Sequence, residues 1–331
     1  MFMGDRLVQR KVRREPLPIR DGLNPTRARV PEDHEPLSAW EWLQHLISTQ
    51  RHRHPADDEA ALRARFDAGE VVRATGTPLA ATSIVAPGED VWFYRMPAPE
   101  VPVPGTIEIL YEDENLLVVD KPHFLATMPR ARHITETATV RMRRATGNND
   151  LAPAHRLDRP TAGVLLFTKR REVRGAYQEL FARREVGKVY EAIAPYDRSL
   201  SFPVTWEDRI EKDPGELQAR FTDGEINAVT TLAKVQMLDD TSQSSLETVH
   251  GRIPRQAVYE LHPKTGRTHQ LRMHMWKAGV PLLGDLVYPD VMPVDAEEIT
   301  APMRLLARSL SFTDPLDGTH REFSTTRSWF H

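Results

Sequence analysis

Two short segments hold most of the chemistry that this sequence could perform. The first is Ala154-His-Arg-Leu-Asp-Arg-Pro-Thr-Ala-Gly163, which sets the carboxylate of Asp158 between Arg156 and Arg159. It is a polar turn placed just before the apolar run 163–167, with Pro160 and Gly163 restricting its backbone. The second is Lys264-Thr-Gly-Arg-Thr-His-Gln-Leu-Arg272, a Gly-Arg turn entering a helix. Its donors Arg267, Thr268, His269, Gln270 and Arg272 suit a carboxylate or phosphate partner. Each segment also has a plainer reading. Asp158 could cap a turn or make an ordinary ion pair, and the second segment could be helix capping with surface charge.

Taken together, the two segments exclude several reaction classes. Glycoside hydrolysis normally uses two carboxylates, and only Asp158 stands out. His262, His269 and His274 lack the spacing of a zinc-protease helix, and without cysteine a zinc deaminase centre is absent. No Gly-x-Ser-x-Gly elbow and no glycine-rich phosphate loop occurs. What is left is a basic site built around one carboxylate, with no metal signature and no cofactor motif.

The elements that must position these segments can be read from periodicity. Strands are expected at 106–111, 115–120, 163–168, 188–194, 227–236 and 257–261. Val173, Ala176, Tyr177, Leu180 and Phe181 give one apolar helical face, and a second helix is expected over 268–278, ended by Gly279. Strands and helices alternate without a regular βαβ repeat. This predicts an α+β fold with a mixed, largely antiparallel sheet and flanking helices. Upstream, Leu37, Trp40, Leu43, Leu46 and Ile47 mark a helix over 36–50 with Ser38 as its cap. A further helix over 56–67 and extended pieces at 70–73, 76–79, 83–85 and 91–95 complete a small unit. The expected organisation is a basic, irregular arm (1–30), a small α+β unit (31–96), a proline-rich linker (97–105) and a larger domain (106–331).

Composition sets the outer limits. The chain has 331 residues, 40% apolar and 27% charged, with a formal net charge of −3, so it is an ordinary globular sequence of about two domains. It contains no cysteine, which excludes disulfides and thiolate chemistry and fits a reducing compartment. No apolar run is long enough for a membrane span, and the first residues do not read as a signal peptide, so a cytoplasmic protein is expected. Charge is unevenly spread. Residues 128–188 hold fourteen Lys or Arg against six Asp or Glu, a net of +8 that leaves −11 on the remainder. Arg141, Arg143 and Arg174 lie in this stretch. Such a stretch either solvates helix surfaces or gathers a polyanion, and charge alone leaves both open. The first thirty residues carry eight Arg or Lys against three acids, and the sequence does not decide whether they touch RNA or pack on the body.

His155-Arg-Leu-Asp158 followed by Thr161-Ala162-Gly163 resembles the signature of the RluA-type pseudouridine synthases. The resemblance continues in order through Ile109–Pro122, Lys188-Val-Tyr190, Thr265-Gly-Arg-Thr-His-Gln-Leu-Arg272, Pro281-Leu-Leu-Gly-Asp285 with Tyr288, and Arg308-Ser-Leu-Ser-Phe312. Ala162 stands where the family usually has Ser, and Asp120 where Asn is common. The resemblance implies that Asp158 is the catalytic aspartate, acting on the ribose of a flipped uridine, by adduct or by glycal. It further implies that Arg267 pairs with Asp158, that Tyr190 lies against the uracil, and that Arg156 fills the gap left in the RNA. Leu271 would pack near the base, and His155, Arg159, Arg141, Arg143 and Arg174 would contribute to RNA binding. No metal, nucleotide or redox cofactor is implied. The expected substrate is a structured RNA, large-subunit rRNA ahead of tRNA, and the expected form is a monomer.

The small unit resembles a divergent S-four-like RNA-binding domain through Arg65-Phe-Asp-Ala-Gly-Glu-Val-Val72, Gly76, Leu79 and Pro87-Gly-Glu-Asp-Val91. From 31 to 75, however, it carries nine acids against five arginines. Two rivals remain at this level: a catalytically silent RNA-binding or ribosome-assembly protein, and a nucleoside or sugar hydrolase.

Overall fold

The computed structural model describes residues 15–329; the first fourteen residues of the basic arm lie outside the described residues. The chain divides into two units, 1–100 and 101–331.

In the first unit the order is β1 (Thr26–Arg29), β2 (Leu37–Ser38), α1 (Ala39–Ser48), α2 (Glu59–Asp67), β3 (Val71–Arg73), β4 (Ile84–Val85) and β5 (Asp90–Phe93). Ser38 closes a capping box on α1: its Oγ accepts from the Glu41 N–H, and the Glu41 carboxylate accepts from the Ser38 N–H. Trp42, Leu43 and Ile47 of α1 and Leu62 of α2 pack on Val71, Val91 and Phe93. The sheet runs β1-β5-β3, and β2 pairs with β4. Thr26–Arg29, expected to belong to an irregular arm, instead form an edge strand on β5. Residues 76–79, expected to be extended, make only a single bridge from Val72 to Pro78.

The second unit contains β6 (Glu108–Glu112), β7 (Leu116–Lys121), α3 (Ala138–Thr146), β8 (Ala152–Pro153), β9 (Ala162–Thr168), α4 (Arg174–Ala182), β10 (Gly187–Pro195), β11 (Val204–Asp208), β12 (Ile210–Glu211), β13 (Arg220–Phe221), β14 (Ala228–Met237), α5 (Asp240–His250), β15 (Gln256–Pro263), α6 (Gln270–Lys277), β16 (Leu305–Thr313) and β17 (His320–Ser324). Ten strands form one sheet along β11-β14-β15-β10-β16-β9-β7-β6, with β17 on β16 and β8 on β9. All its pairings are antiparallel except β9 with β16. The fold is therefore α+β with a large, mixed, mostly antiparallel sheet.

β7 and β9 are buried throughout because both faces of the sheet are covered here. Val118, Val164 and Leu166 face Tyr177 and Leu180 of α4, while Leu117, Val119 and Phe167 face Met142 of α3. The parallel contact between β9 and β16 is tight. Gly163 has φ +110°, and a Cβ there would collide with the backbone of Ala307.

Candidate active site

The Asp158 loop leads into β9, and its backbone is anchored by the last residue of β7 and by residues that follow it. Thr127 Oγ1 accepts from the Leu157 N–H at 3.1 Å and donates to the Leu157 carbonyl at 2.8 Å. Lys121 Nζ donates to the carbonyls of Pro122, Leu125 and Arg159, the last at 3.4 Å. His123 Nδ1 donates to the Pro160 carbonyl at 2.6 Å. Burial lowers the Lys121 ammonium to about 7 against the opposing pull of Asp158, and lowers His123 to about 4. The half-buried Asp158 carboxylate has no hydrogen-bond or ion-pair partner among the described residues.

Asp158 lines a cleft together with His155, Arg156, Tyr190, Arg267, Leu271 and Arg272. Tyr190 sits on β10, at a register shift in its pairing with β16. Burial and the nearby Asp158 charge both raise its phenol. Leu271, on the first turn of α6, is 7% exposed and belongs to the core beside Leu261 and Leu305. The turn before α6 is fixed by Gln270. Its side-chain oxygen accepts from the Thr265 hydroxyl and the Arg267 N–H, and its amide donates to the Val229 carbonyl and the Thr230 hydroxyl. Lys188 Nζ ties the same turn to β10 by donating to the Thr265 carbonyl at 2.9 Å.

The pairing of Arg267 with Asp158 is not present. Arg267 is exposed, and its Nε donates to the Asn227 carbonyl at 3.2 Å. The buried cation of the segment is Arg272, whose guanidinium forks onto Asp285 at 2.7 and 2.5 Å and lies 5.2 Å from the Tyr288 ring. Burial opposes its charge, but the Asp285 hydrogen bonds, with the charges of Asp285 and Asp158, hold it above the usual arginine value. The reason lies in the backbone. His269 takes a left-handed conformation (φ 61°) immediately before α6. Arg267 falls outside that bend, whereas Arg272 lies within the buried helix that follows it. His269 is itself held by Tyr288, whose hydroxyl lies 2.9 Å from Nδ1, and burial lowers it to about 4. Sequence reasoning grouped Arg272 with the other donors of its segment. The signal that separates it is Asp285, whose carboxylate also accepts from the backbone of Val287 and Tyr288.

The basic stretch is corrected as well. Arg141 pairs with Glu136 and donates to the Val103 carbonyl; Arg143 is buried and donates to the Leu151 carbonyl; Arg174 donates to the Asp150 carbonyl. Lys169, Arg170, Arg171 and Arg183 pair with Glu112, Glu114, Asp150 and Glu179. Arg159 is committed to a two-point ion pair with Glu297. Glu112, Glu114 and Glu297 are the acids in these pairs that come from outside the stretch, so the fold lowers its surplus from +8 to +5 and ties many of its cations to partners within the protein. His155 lines the cleft, but its Nε2 accepts from the Leu166 N–H and its ring stacks on Phe181 at 4.7 Å. Burial, helped by Lys188, lowers it to about 3, so it is a neutral anchor of β9. Arg156 is exposed at the mouth of the cleft. A second, wider cleft shares Asp158, Arg156 and Arg272 and is bordered by Arg130, Arg132 and Lys212, residues that the sequence had not singled out as a group. Among the described residues no cluster of three or more His, Asp or Glu side chains could hold a metal ion.

Comparison with known proteins bears on this geometry. Residues 115–277, which include both chemical segments, match the family of RNA pseudouridylate synthases. The chain is 34% identical over 219 residues to the tRNA pseudouridine synthase C of Vibrio vulnificus, covering 63% of this chain and 86% of that protein. It is 30% identical over 226 residues to the dual-specificity RNA pseudouridine synthase RluA of Haemophilus influenzae, covering 67% and 94%. The structure of human RNA pseudouridylate synthase domain containing 1 superposes with a TM-score of 0.50 at 25% identity, over 68% of this chain and 86% of that one. With its ordered blocks, its fold and these relatives in agreement, the chain belongs to the RluA-type pseudouridine synthases, isomerases that act on RNA.

Proposed function

We propose that this enzyme converts a uridine of structured tRNA to pseudouridine, with Asp158 as the catalytic carboxylate and one nucleotide flipped into the cleft. tRNA takes precedence over the rRNA expected from sequence because the 34%-identical relative is named as a tRNA enzyme; rRNA remains the second substrate to test. The observation that carries the reading is the convergence on one cleft of Asp158 from the loop before β9, Tyr190 from β10, and Leu271 and Arg272 from α6. The reaction breaks the bond from C1′ to N1 and forms one from C1′ to C5; C5 gives up a proton and N1 ends protonated. It therefore needs no external reactant, only positioning of the ribose and the freed base.

In this reading Asp158 acts at the ribose, Tyr190 stacks on the uracil, Leu271 limits the space beside it and Arg156 occupies the vacated place in the RNA. A stacked ring contributes roughly 1–3 kcal/mol, comparable with the few kcal/mol of flipping. Arg272 takes the role expected of Arg267, supplying the fixed positive field near Asp158. The first unit serves as a divergent S-four-like accessory domain. Arg20, Arg27, Arg29, Arg63, Arg65 and Arg73 are ion-paired there, which leaves Arg51, Arg53 and Arg95, among the described residues, as its cations for phosphate contact. No helix of the described residues is long and apolar enough to cross a membrane, and we place the enzyme in the cytoplasm as a monomer.

Pseudouridine mapping across tRNA and rRNA with the wild type and with Asp158→Asn tests the proposal. A site that appears with the wild type and disappears with the variant, at unchanged RNA affinity, supports it. Equal modification by both removes Asp158 from the mechanism, and RNA binding without any modification identifies a silent binding protein.

A further inference from the structure

The Asp158 carboxylate is aimed by its backbone, since no side chain among the described residues holds it. That backbone is gripped from one place. Within the seven residues 121–127, from the end of β7 through the turn after it, Thr127 takes both polar groups of Leu157, Lys121 takes the carbonyl of Arg159, and His123 takes the carbonyl of Pro160. The residues on both sides of Asp158 are thereby fixed while its side chain stays open to the cleft. The gripping segment is itself rigid. The Thr127 carbonyl accepts from both the N–H and the hydroxyl of Thr139, and Lys121 and Thr127 are buried. Phe124 adopts a left-handed backbone (φ 64°) rarely taken by a bulky residue, with its ring 5.7 Å from the Arg159 guanidinium.

Resting on the reading of Asp158 as the catalytic carboxylate, we propose that the 121–127 turn is a positioning device for that residue, with Thr127 and His123 making its two decisive hydrogen-bonding links. Neither touches the substrate. Each acts through the loop backbone, by keeping the carboxylate within reach of the ribose.

The test is single-turnover kinetics on the modified RNA, with affinity measured separately. Thr127→Val keeps the shape and deletes both bonds to Leu157. A displacement of about 1 Å costs about a hundredfold in rate, so a loss of about 10- to 100-fold is expected, with RNA affinity unchanged within about twofold. Thr127→Ser should recover the rate. His123→Phe, which loses the bond to Pro160, should give the same split and serves where Thr127→Val does not fold. Wild-type rates in the folded variants, or losses explained entirely by weaker RNA binding or shared by Thr127→Ser, overturn the inference. If instead Asp158→Asn is as active as wild type, the functional reading fails rather than the positioning role.

Discussion

Arg272 and Asp285 form a buried two-point ion pair beside the Asp158 loop, 4% and 0% exposed at their side chains. Arg272 is further enclosed by the Tyr288 ring, and Asp285 by the N–H groups of Val287 and Tyr288. A guanidinium held this way cannot swing to solvent, so its field on Asp158 is constant. An exposed cation such as Arg267 would have to be ordered by the substrate.

Removing one partner of this pair is expected to be costly. Asp285→Ala leaves a buried charge uncompensated, a loss of about 3–5 kcal/mol of stability, read by denaturant unfolding. Arg272→Lys keeps the charge but not the fork, and turnover should fall far more than RNA affinity. Arg267→Ala should behave in the opposite way, weakening binding with little effect on single-turnover rate.

The cations that meet RNA should be those bordering the clefts. Alanine at Arg130, Arg156 or Lys212 is expected to reduce the slope of log affinity against log salt by about 0.7–0.9 for each phosphate that is no longer neutralised. Alanine at Arg141, Arg143 or Arg174 should leave that slope unchanged and lower the melting temperature instead, because their partners lie within the fold.

Glu297 holds the Arg159 guanidinium at the wall of the wider cleft. Glu297→Gln should release the guanidinium and remove a like charge from the wider cleft. RNA affinity is expected to rise by about 2- to 10-fold at low salt, as for a partly exposed ion pair of about 1 kcal/mol, and to return to wild-type values at high salt. Equal affinity of the variant at low salt would place the pair off the RNA path.

Acid should weaken the fold through histidines kept neutral by burial. His274 is buried, lies 3.7 Å from Asp208 and leaves both ring nitrogens without a hydrogen bond. Burial lowers it to about 4, against the pull of Asp208. Because the folded state binds this proton less readily than the unfolded chain, its contribution is intact above about pH 6.5. It is lost as the pH falls toward 4, by up to about 1.4 kcal/mol per pH unit. His274→Leu should flatten that part of the stability profile in urea titrations at pH 4 to 7.

Much of this was legible in the chain. The apolar runs at 116–119 and 163–167 marked β7 and β9, and the polar segments leading into β9 and into α6 supply residues of the cleft. Local pattern did not reveal α3, whose sequence from Ala138 to Thr146 is polar on most sides and is started by a Thr137 cap. Nor could it separate Arg267 from Arg272. That choice depends on a left-handed residue at 269 and on an acid thirteen residues further along. The basic stretch was misleading for a related reason: Glu297, Glu112 and Glu114 take up Arg159, Lys169 and Arg170 from positions that are distant in sequence and adjacent only after folding.

The close seating of Gly163 against Ala307 has a consequence for synthesis. A nascent chain on the ribosome possesses Asp158 and its gripping turn long before residue 307 is made. The start of β9 has β7 on one side but lacks β16 on the other until then, and Asp120 still awaits Thr325 and Arg327. The enzyme should therefore stay inert through most of its own translation, and gain activity only once the last strands have emerged.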